Sequence, residues 1–315
     1  MNMGNKTAVL VFTLVGFSVP PHVQGALFVA FLLVYFITLF GNLLIAALIT
    51  VSPNLHTPMY FFLFHVSCLD IGSSSVTVPR LLLGLVAHQK CISFSECIAQ
   101  VFGFIFLGTT EVFILCAMCY DRYVAICLPL NYAVIMSPRF CVLLLAISGV
   151  AGFTYSFVFT MQLSQLPFCG EIVIDHFVCE IPALLKVACA DTSPNETVIF
   201  ALTGTVAPLT LVVIVMSYAH IVRVILKMPS ADGRSKAFST CSAHLVVVLL
   251  FYASGAGTYL KPSHSSLGYE KLVSLFYTVF VPMLNPMIYS LRNEEVKKAA
   301  QKVMHQVGNT LRCAM

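Results

Sequence analysis

The sequence predicts an all-α membrane protein, a seven-transmembrane helix bundle followed by a short cytoplasmic amphipathic helix. Three observations predict it. Hydrophobic residues make up 59% of the chain, charged residues only 10%, and the mean hydropathy is +0.92; a soluble domain carries about 25% charged residues. Seven apolar stretches, each near the roughly 20 residues that one bilayer crossing needs, are separated by proline and glycine punctuation. The loops between them alternate in cationic charge, as sidedness requires.

In chain order the spans fall at 25–49, 59–87, 98–120, 140–163, 197–226, 237–260 and 271–291. Ser52-Pro53, Ser137-Pro138, Ser193-Pro194 and the 230–233 turn interrupt them. The chain thus divides into an extracellular segment 1–24, the bundle 25–291, and a cytoplasmic helix and tail 292–315. With the amino terminus outside, Arg122, Arg139, Arg223, Lys227, Arg234, Lys236, Arg292, Lys297, Lys298, Lys302 and Arg312 are cytoplasmic. Lys6, Arg80, Lys90, Lys186, Lys261 and Lys271 are outside, so the cationic excess lies within. The net charge of +4 is therefore a topology signal. No basic patch interleaved with aromatics marks a nucleic-acid surface. Residues 8–17 have the length of a signal-peptide core, but the flank is barely basic and no small-residue cleavage site follows. The first span is expected to serve as the insertion signal.

The third span runs into Met118-Cys-Tyr-Asp-Arg-Tyr-Val-Ala-Ile-Cys127. This puts Asp121 and Arg122 where a helix emerges into the cytoplasm. The same charges at mid-bilayer would cost roughly 2.5–3.5 kcal/mol each, so the location suits a switchable contact. Asp70 and Glu111 sit mid-span at similar depth, and ionisable groups there are functional hypotheses by default. A bound sodium ion, a shared proton or one neutral partner would each resolve the repulsion of two close carboxylates; the bland alternative is a hydrogen-bonded pair that fixes packing. Pro282-Met-Leu-Asn285-Pro286 breaks the ladder of the last span, and Asn285 could satisfy the freed groups. Residues 292–303 then suit an amphipathic helix on the inner leaflet.

Cys97, Cys169, Cys179 and Cys189 fall on the outer side, where disulfides persist. Four cysteines allow three pairings, and spacing does not choose; Cys91 is a fifth candidate. The 164–196 loop holds three of the four, and its length suits a stapled lid over the bundle. Cys116-x-x-Cys119 has redox or zinc spacing, but on a membrane helix it reads as small buried hydrophobes. His176-Phe-Val-Cys179-Glu180 could be read as a metal site, yet a disulfide cysteine is no thiolate ligand. No metal is expected. Asn5-Lys-Thr7 and Asn195-Glu-Thr197 are glycosylation sequons. Asn5, on a free terminus, is the expected acceptor; Asn195 abuts the fifth span.

At this point the chain resembles a rhodopsin-like (class A) G-protein-coupled receptor, and within that group an olfactory (odorant) receptor. The residues that carry the resemblance are Gly41-Asn42, Pro58-Met-Tyr-Phe-Phe-Leu63, Met118–Cys127 and Ser217-Tyr218, with Lys236-Ala-Phe-Ser-Thr-Cys-Ser-Ala-His-Leu245 and Pro282–Asn293. Asp-Arg-Tyr alone marks the broad superfamily; the Pro-Met-Tyr-Phe-Phe-Leu and Lys-Ala-Phe-Ser-Thr-Cys blocks mark the olfactory branch. Cys119 stands for the usual alanine and Ala243 for the usual serine, and neither change removes a charge or hinge. The resemblance implies disulfides Cys97–Cys179 and Cys169–Cys189. It implies that Arg122 leaves Asp121 on activation to meet a heterotrimeric G protein, with Tyr218 and Tyr289 swinging inward. Tyr123, Lys236, His244, Asn285 and Pro286 belong to the same coupling set. Asp70 and Glu111 match the intramembrane polar site, where a sodium ion is the one cofactor considered.

By the same analogy a small, mostly apolar volatile ligand meets Phe104, Ile105, Gly108 and Thr109 of the third span. Leu202, Thr203 and Val206 of the fifth, Tyr252, Gly255 and Tyr259 of the sixth and Thr278 of the seventh complete the pocket. Phe104 stands where amine receptors carry an aspartate, which disfavours a cationic amine. The expected output is activation of a stimulatory G protein and a rise in cAMP at the plasma membrane. Two other readings stand beside it: a metabolite sensor of the same architecture outside the nose, and an ion or solute transporter. An enzyme is excluded, because no nucleophile–base–acid set, phosphate-cradling loop or zinc spacing occurs.

Overall fold

The computed structural model describes residues 11–17, 19–86, 90–259 and 267–314. Seven long helices cover Pro21–Val51, Pro58–Val86, Phe94–Cys127, Pro138–Ser164, Ser193–Leu226 and Ala231–Tyr259, with the seventh built from Leu267–Leu275, a π-helical segment Phe276–Phe280, and Val281–Arg292. Among the described residues six of these are long and apolar enough to cross a membrane, and the sixth helix contributes the shorter apolar stretch Cys241–Gly255. The final helix, Glu294–Ala314, is amphipathic and buries Val296.

Most of the helices overshoot the apolar stretches that foretell them. Apolarity measures the hydrocarbon slab, whereas helix ends are set by capping chemistry. Proline occupies the first turn of the first, fourth and fifth helices, where its missing N–H costs nothing. Ser93 and Glu96 form a reciprocal capping box that starts the third helix at Phe94 rather than 98. That helix continues to Cys127, so Asp121 and Arg122 lie inside its last turns and not at its end. The sixth helix begins at Ala231 rather than 237, and the bundle itself at Pro21 rather than 25.

The polarity of the packing is inverted. Phe36, Phe40, Val150 and Leu209 are 60–67% exposed, while Asn42, Asp70, Glu111 and Asn285 are buried. Such a surface is stable only against lipid. The third helix lies at the centre, packed on the second, fourth and fifth. Its contact with the fourth depends on Gly152: an added Cβ would meet Thr110 Oγ1 at 2.2 Å and the Phe106 carbonyl oxygen at 2.9 Å. Nearby, Ser156 donates to the Phe102 carbonyl at 2.7 Å. Cys116 and Cys119 are free thiols whose sulfurs face the Thr210 and Ile214 carbonyls of the fifth helix.

The end of the bundle opposite the carboxyl-terminal helix, expected to be the outer one, holds an element that the apolar pattern does not announce. β1 (Val11–Leu14) is the central strand of a small sheet, antiparallel to β2 (Cys91–Ser93) and parallel to β3 (Ile172–Ile174), with Phe12 opposite both Ile92 and Ile172. Phe12 and Leu14 point inward onto an apolar cluster with Ile174, Cys179 and Leu184. The stretch that has the length of a signal-peptide core thus serves to pin the long outer loop. The structure pairs Cys97 with Cys179 and Cys169 with Cys189, while Cys91 is free and exposed.

Candidate functional site

Four polar layers follow one another down the bundle. Outermost is a clamp between the second outer loop and the seventh helix. Lys186 pairs with Glu270 at 3.0 Å, and Lys271 pairs with Asp175 at 2.6 Å while also donating to the Gly16 carbonyl at 2.8 Å. Glu180, the residue after Cys179, accepts from Tyr277 at 2.8 Å and from Ser274. His176 is buried beside it, 3.9 Å from the Glu180 carboxylate, and its Nδ1 accepts from the Val178 N–H at 3.3 Å. No group of three or more His, Cys, Asp or Glu fit for a metal occurs among the described residues. At the far end of this loop the Ser193 hydroxyl and N–H both donate to Asp191, which lowers the carboxyl's pKa and anchors the start of the fifth helix.

The second layer is the expected ligand level. Phe104 sets its ring, tilted by 43°, 5.5 Å from that of Tyr277, the residue that donates to Glu180. Ile105 packs on the outer apolar cluster. Gly108 and Gly255 each have nothing within 4 Å of an added Cβ, so both border open volume. Thr109, Leu202 and Val206 are half-buried. Thr203 hydrogen-bonds Tyr155 of the fourth helix at 2.9 Å, and Tyr252 donates to Thr210 at 2.6 Å. Thr278 is only 1% exposed and its hydroxyl is spent on the Ser274 carbonyl, so it is a packing residue here. The Tyr259 side chain and Asn5 lie outside the described residues, as does the Lys236 side chain.

The third layer joins Asp70 and Glu111 through Asn285. The Asn285 amide donates to both Asp70 oxygens at 3.1 Å and to Glu111 at 3.3 Å. Asn285 is thus engaged by carboxylates and does not repair the proline break. That role falls to Asn42: Pro286 has no N–H for the Pro282 carbonyl, and Asn42 Nδ2 supplies the donor at 3.1 Å. Gly41 permits this approach, since an added Cβ would stand 3.1 Å from the Pro286 ring. The amide oxygens of Asn42 and Asn285 are buried and have no partner among the described residues.

The fourth layer is at the end of the bundle that carries the carboxyl-terminal helix. Asp121 is fully buried and accepts from Arg122 Nε at 3.0 Å and Nη2 at 2.6 Å on one oxygen, and from Tyr132 at 2.8 Å on the other. Burial and the Asp121 carboxylate raise the Tyr132 phenol's pKa, so it remains a donor. Tyr218 hydrogen-bonds His244 Nδ1 at 2.7 Å and the Cys241 carbonyl at 3.3 Å. Tyr123 sets its ring edge against His220. Tyr289 is 1% exposed, yet its hydroxyl has no partner among the described residues. Below, Asn293 caps the last helix through the Glu295 N–H at 3.1 Å and accepts from Tyr60 of the second helix at 3.0 Å.

Sequence reasoning missed Ser274, Tyr277, Tyr132 and Tyr155, and it weighed Glu180 only as part of a metal motif. An acidic residue adjoining a loop cysteine was the one signal available, and the others become visible only through the fold.

This heptahelical arrangement superposes on squid rhodopsin with a TM-score of 0.72, covering 92% of this chain and 88% of that one at 17% identity. The fold is therefore the seven-helix fold of rhodopsin. The family model described as olfactory receptor matches residues 31–307. Olfactory receptor 2B6 of Mus musculus is 47% identical over 308 residues, 98% of each chain. Olfactory receptor 8H3 of Homo sapiens is 46% identical over 307 residues, 97% of this chain and 98% of that one. The chain belongs to the olfactory receptor family: it is a multi-pass membrane receptor and not an enzyme.

Proposed function

We propose that this protein is an odorant receptor that binds a small, mostly apolar volatile molecule within the bundle and activates a stimulatory heterotrimeric G protein, raising cAMP. The observation that carries this reading is the Asp121–Arg122–Tyr132 lock at the inner mouth of a bundle of this family. A charge tied down in the last turns of the third helix, with a buried Tyr289 hydroxyl that has no partner among the described residues, is the chemistry of a resting state with a second state within reach. The ligand acts by binding that second state more tightly. Gly108 and Gly255 each face open space, and half-buried Phe104, Ile105, Leu202 and Val206, with the Thr109 hydroxyl, suit an apolar guest oriented by few polar groups. The amino terminus is placed outside and the carboxyl-terminal helix inside, at the plasma membrane, on the cation distribution; Asn5 is then a glycosylation site.

The polar core fits a sodium ion as well. The Asp70 and Glu111 carboxylates, which share the Asn285 amide donor, are hard oxygen donors of the kind such cations take. A cation there would neutralise two facing carboxylates and favour the state that holds them together.

The test is a cAMP reporter line exposed to panels of volatile alcohols, aldehydes, esters and acids. Responses to one class that vanish in Arg122→Ala at equal surface expression support the reading. Ion current or solute flux that survives Arg122→Ala would replace it with a transporter.

A further inference from the structure

Between the fifth and sixth helices, in the inner half of the bundle, runs an elongated groove of about 540 Å³. Its walls are apolar, with Leu211, Val215 and Val222 on one side and Val248 and Leu249 on the other. It opens sideways, since Val215 and Leu249 are 56% and 58% exposed. From Leu211 to Arg223 the helix rises about 18 Å, against roughly 15 Å for one leaflet of a 30 Å hydrocarbon core. The groove is therefore about one leaflet long.

Its two ends differ. The outer end is closed by Tyr252, whose hydroxyl is committed to Thr210. The inner end carries Arg223, which is exposed and has no ion-pair partner among the described residues. Lys227 follows one turn later on the same helix face. Among the described residues no acidic side chain lines the groove. Tyr218, the other polar group in the wall, is engaged by His244 and the Cys241 carbonyl. A ligand with polar groups along its length would find nothing to bond there. An apolar chain ending in an anion matches both the walls and the end.

We propose that this groove binds one acyl chain of an anionic phospholipid from the cytoplasmic leaflet, with its phosphate headgroup held by Arg223. The guanidinium fork suits a phosphate better than it suits a sterol hydroxyl, and anionic lipids are concentrated in that leaflet. The assignment uses the amino-terminus-outside orientation and is otherwise independent of the odorant. A chain seated there lies against Tyr218, so it bears on the contact that joins the fifth helix to the sixth.

The test uses the full chain, purified into nanodiscs of phosphatidylcholine with trace phospholipid carrying a photoactivatable acyl chain. Labelled peptides are mapped by mass spectrometry. Phosphatidylserine should label residues 245–249 several-fold more than phosphatidylcholine bearing the same chain. Arg223→Gln should bring the two to parity, Arg223→Lys should keep part of the preference, and Leu249→Trp should lower both. Equal labelling by the two lipids in the unmodified chain, or no effect of Arg223→Gln, overturns the proposal. Stronger labelling by a photoactivatable fatty acid or sterol than by phosphatidylserine also overturns it. Because labelling is read without agonist or G protein, failure here is separable from failure of the receptor reading.

Discussion

Tyr132→Phe isolates one bond of the Asp121–Arg122–Tyr132 lock. It removes the phenol that donates to Asp121 at 2.8 Å and leaves the two Arg122 contacts on the other carboxylate oxygen. A hydrogen bond to a charged group is worth about 1.5–3 kcal/mol, and because Tyr132 is only half-buried the lower figure applies. If the bond exists in the resting state alone, its loss shifts the resting-to-active equilibrium by about tenfold, since roughly 1.4 kcal/mol is a factor of ten. A minor state populated at about 0.1–10% then rises enough to be read as ligand-independent cAMP at matched surface expression. Asp121→Asn weakens the Arg122 contacts as well and should raise basal output further. The double variant should fall short of the sum, because both changes act on one network. Unchanged basal output in Tyr132→Phe, or strict additivity of the pair, would refute the idea that Tyr132 holds the resting state through Asp121.

Gly152→Ala forces a Cβ onto Thr110 and the Phe106 carbonyl, an overpacking that costs about 1–3 kcal/mol. The midpoint of thermal unfolding should fall, whereas Gly149→Ala, with nothing within 4 Å, should leave it unchanged. Asn285→Ala strips the donor shared by Asp70 and Glu111, and folded receptor at the cell surface should drop sharply; adding Asp70→Asn should restore part of it by removing one charge. Glu180→Ala unties the outer loop from Ser274 and Tyr277, and agonist potency should move several-fold with basal output unchanged, while Glu180→Gln keeps an acceptor and moves it less.

The seven helices are legible because lipid imposes a coarse rule that any window of hydropathy can detect. Their ends are not, because Ser93–Glu96 capping and first-turn prolines act outside the apolar slab. Val11–Leu14 could not be read as a strand: its partners Cys91–Ser93 and Ile172–Ile174 are remote in sequence, and four residues carry little period. Asp70 and Glu111 announce themselves, since charge within a span is costly. Their third partner was visible only as a residue between two prolines, and the sequence pointed its amide at the wrong acceptor. Asn42 takes the Pro282 carbonyl because the first helix approaches at Gly41, a fact of packing. The π-helical turn Phe276–Phe280 has no residue signature at all.

That turn gains meaning from what lies on either side of it. The second and seventh helices run side by side, and each meets a polar partner at successive depths. The second offers Arg80 to the Cys91 carbonyl, Asp70 to Asn285 and Tyr60 to Asn293. The seventh offers Ser274 and Tyr277 to Glu180, Asn285 to the carboxylates and Asn293 to Tyr60. Between the Glu180 contacts and Asn285 the seventh helix carries both its π turn and the carbonyl freed by Pro286, so its hydrogen-bond ladder is weakest where the two layers must communicate. A uniform α-helix would transmit a displacement of the clamp as rigid rotation, straining the buried carboxylate site. A helix with a local defect can change register over one turn instead, which lets the outer clamp and the polar core hold two discrete arrangements. A ligand that displaced Tyr277 from Glu180 would therefore work against a joint already built into the backbone, and the Asn285 contacts would be the first that its adjustment reached.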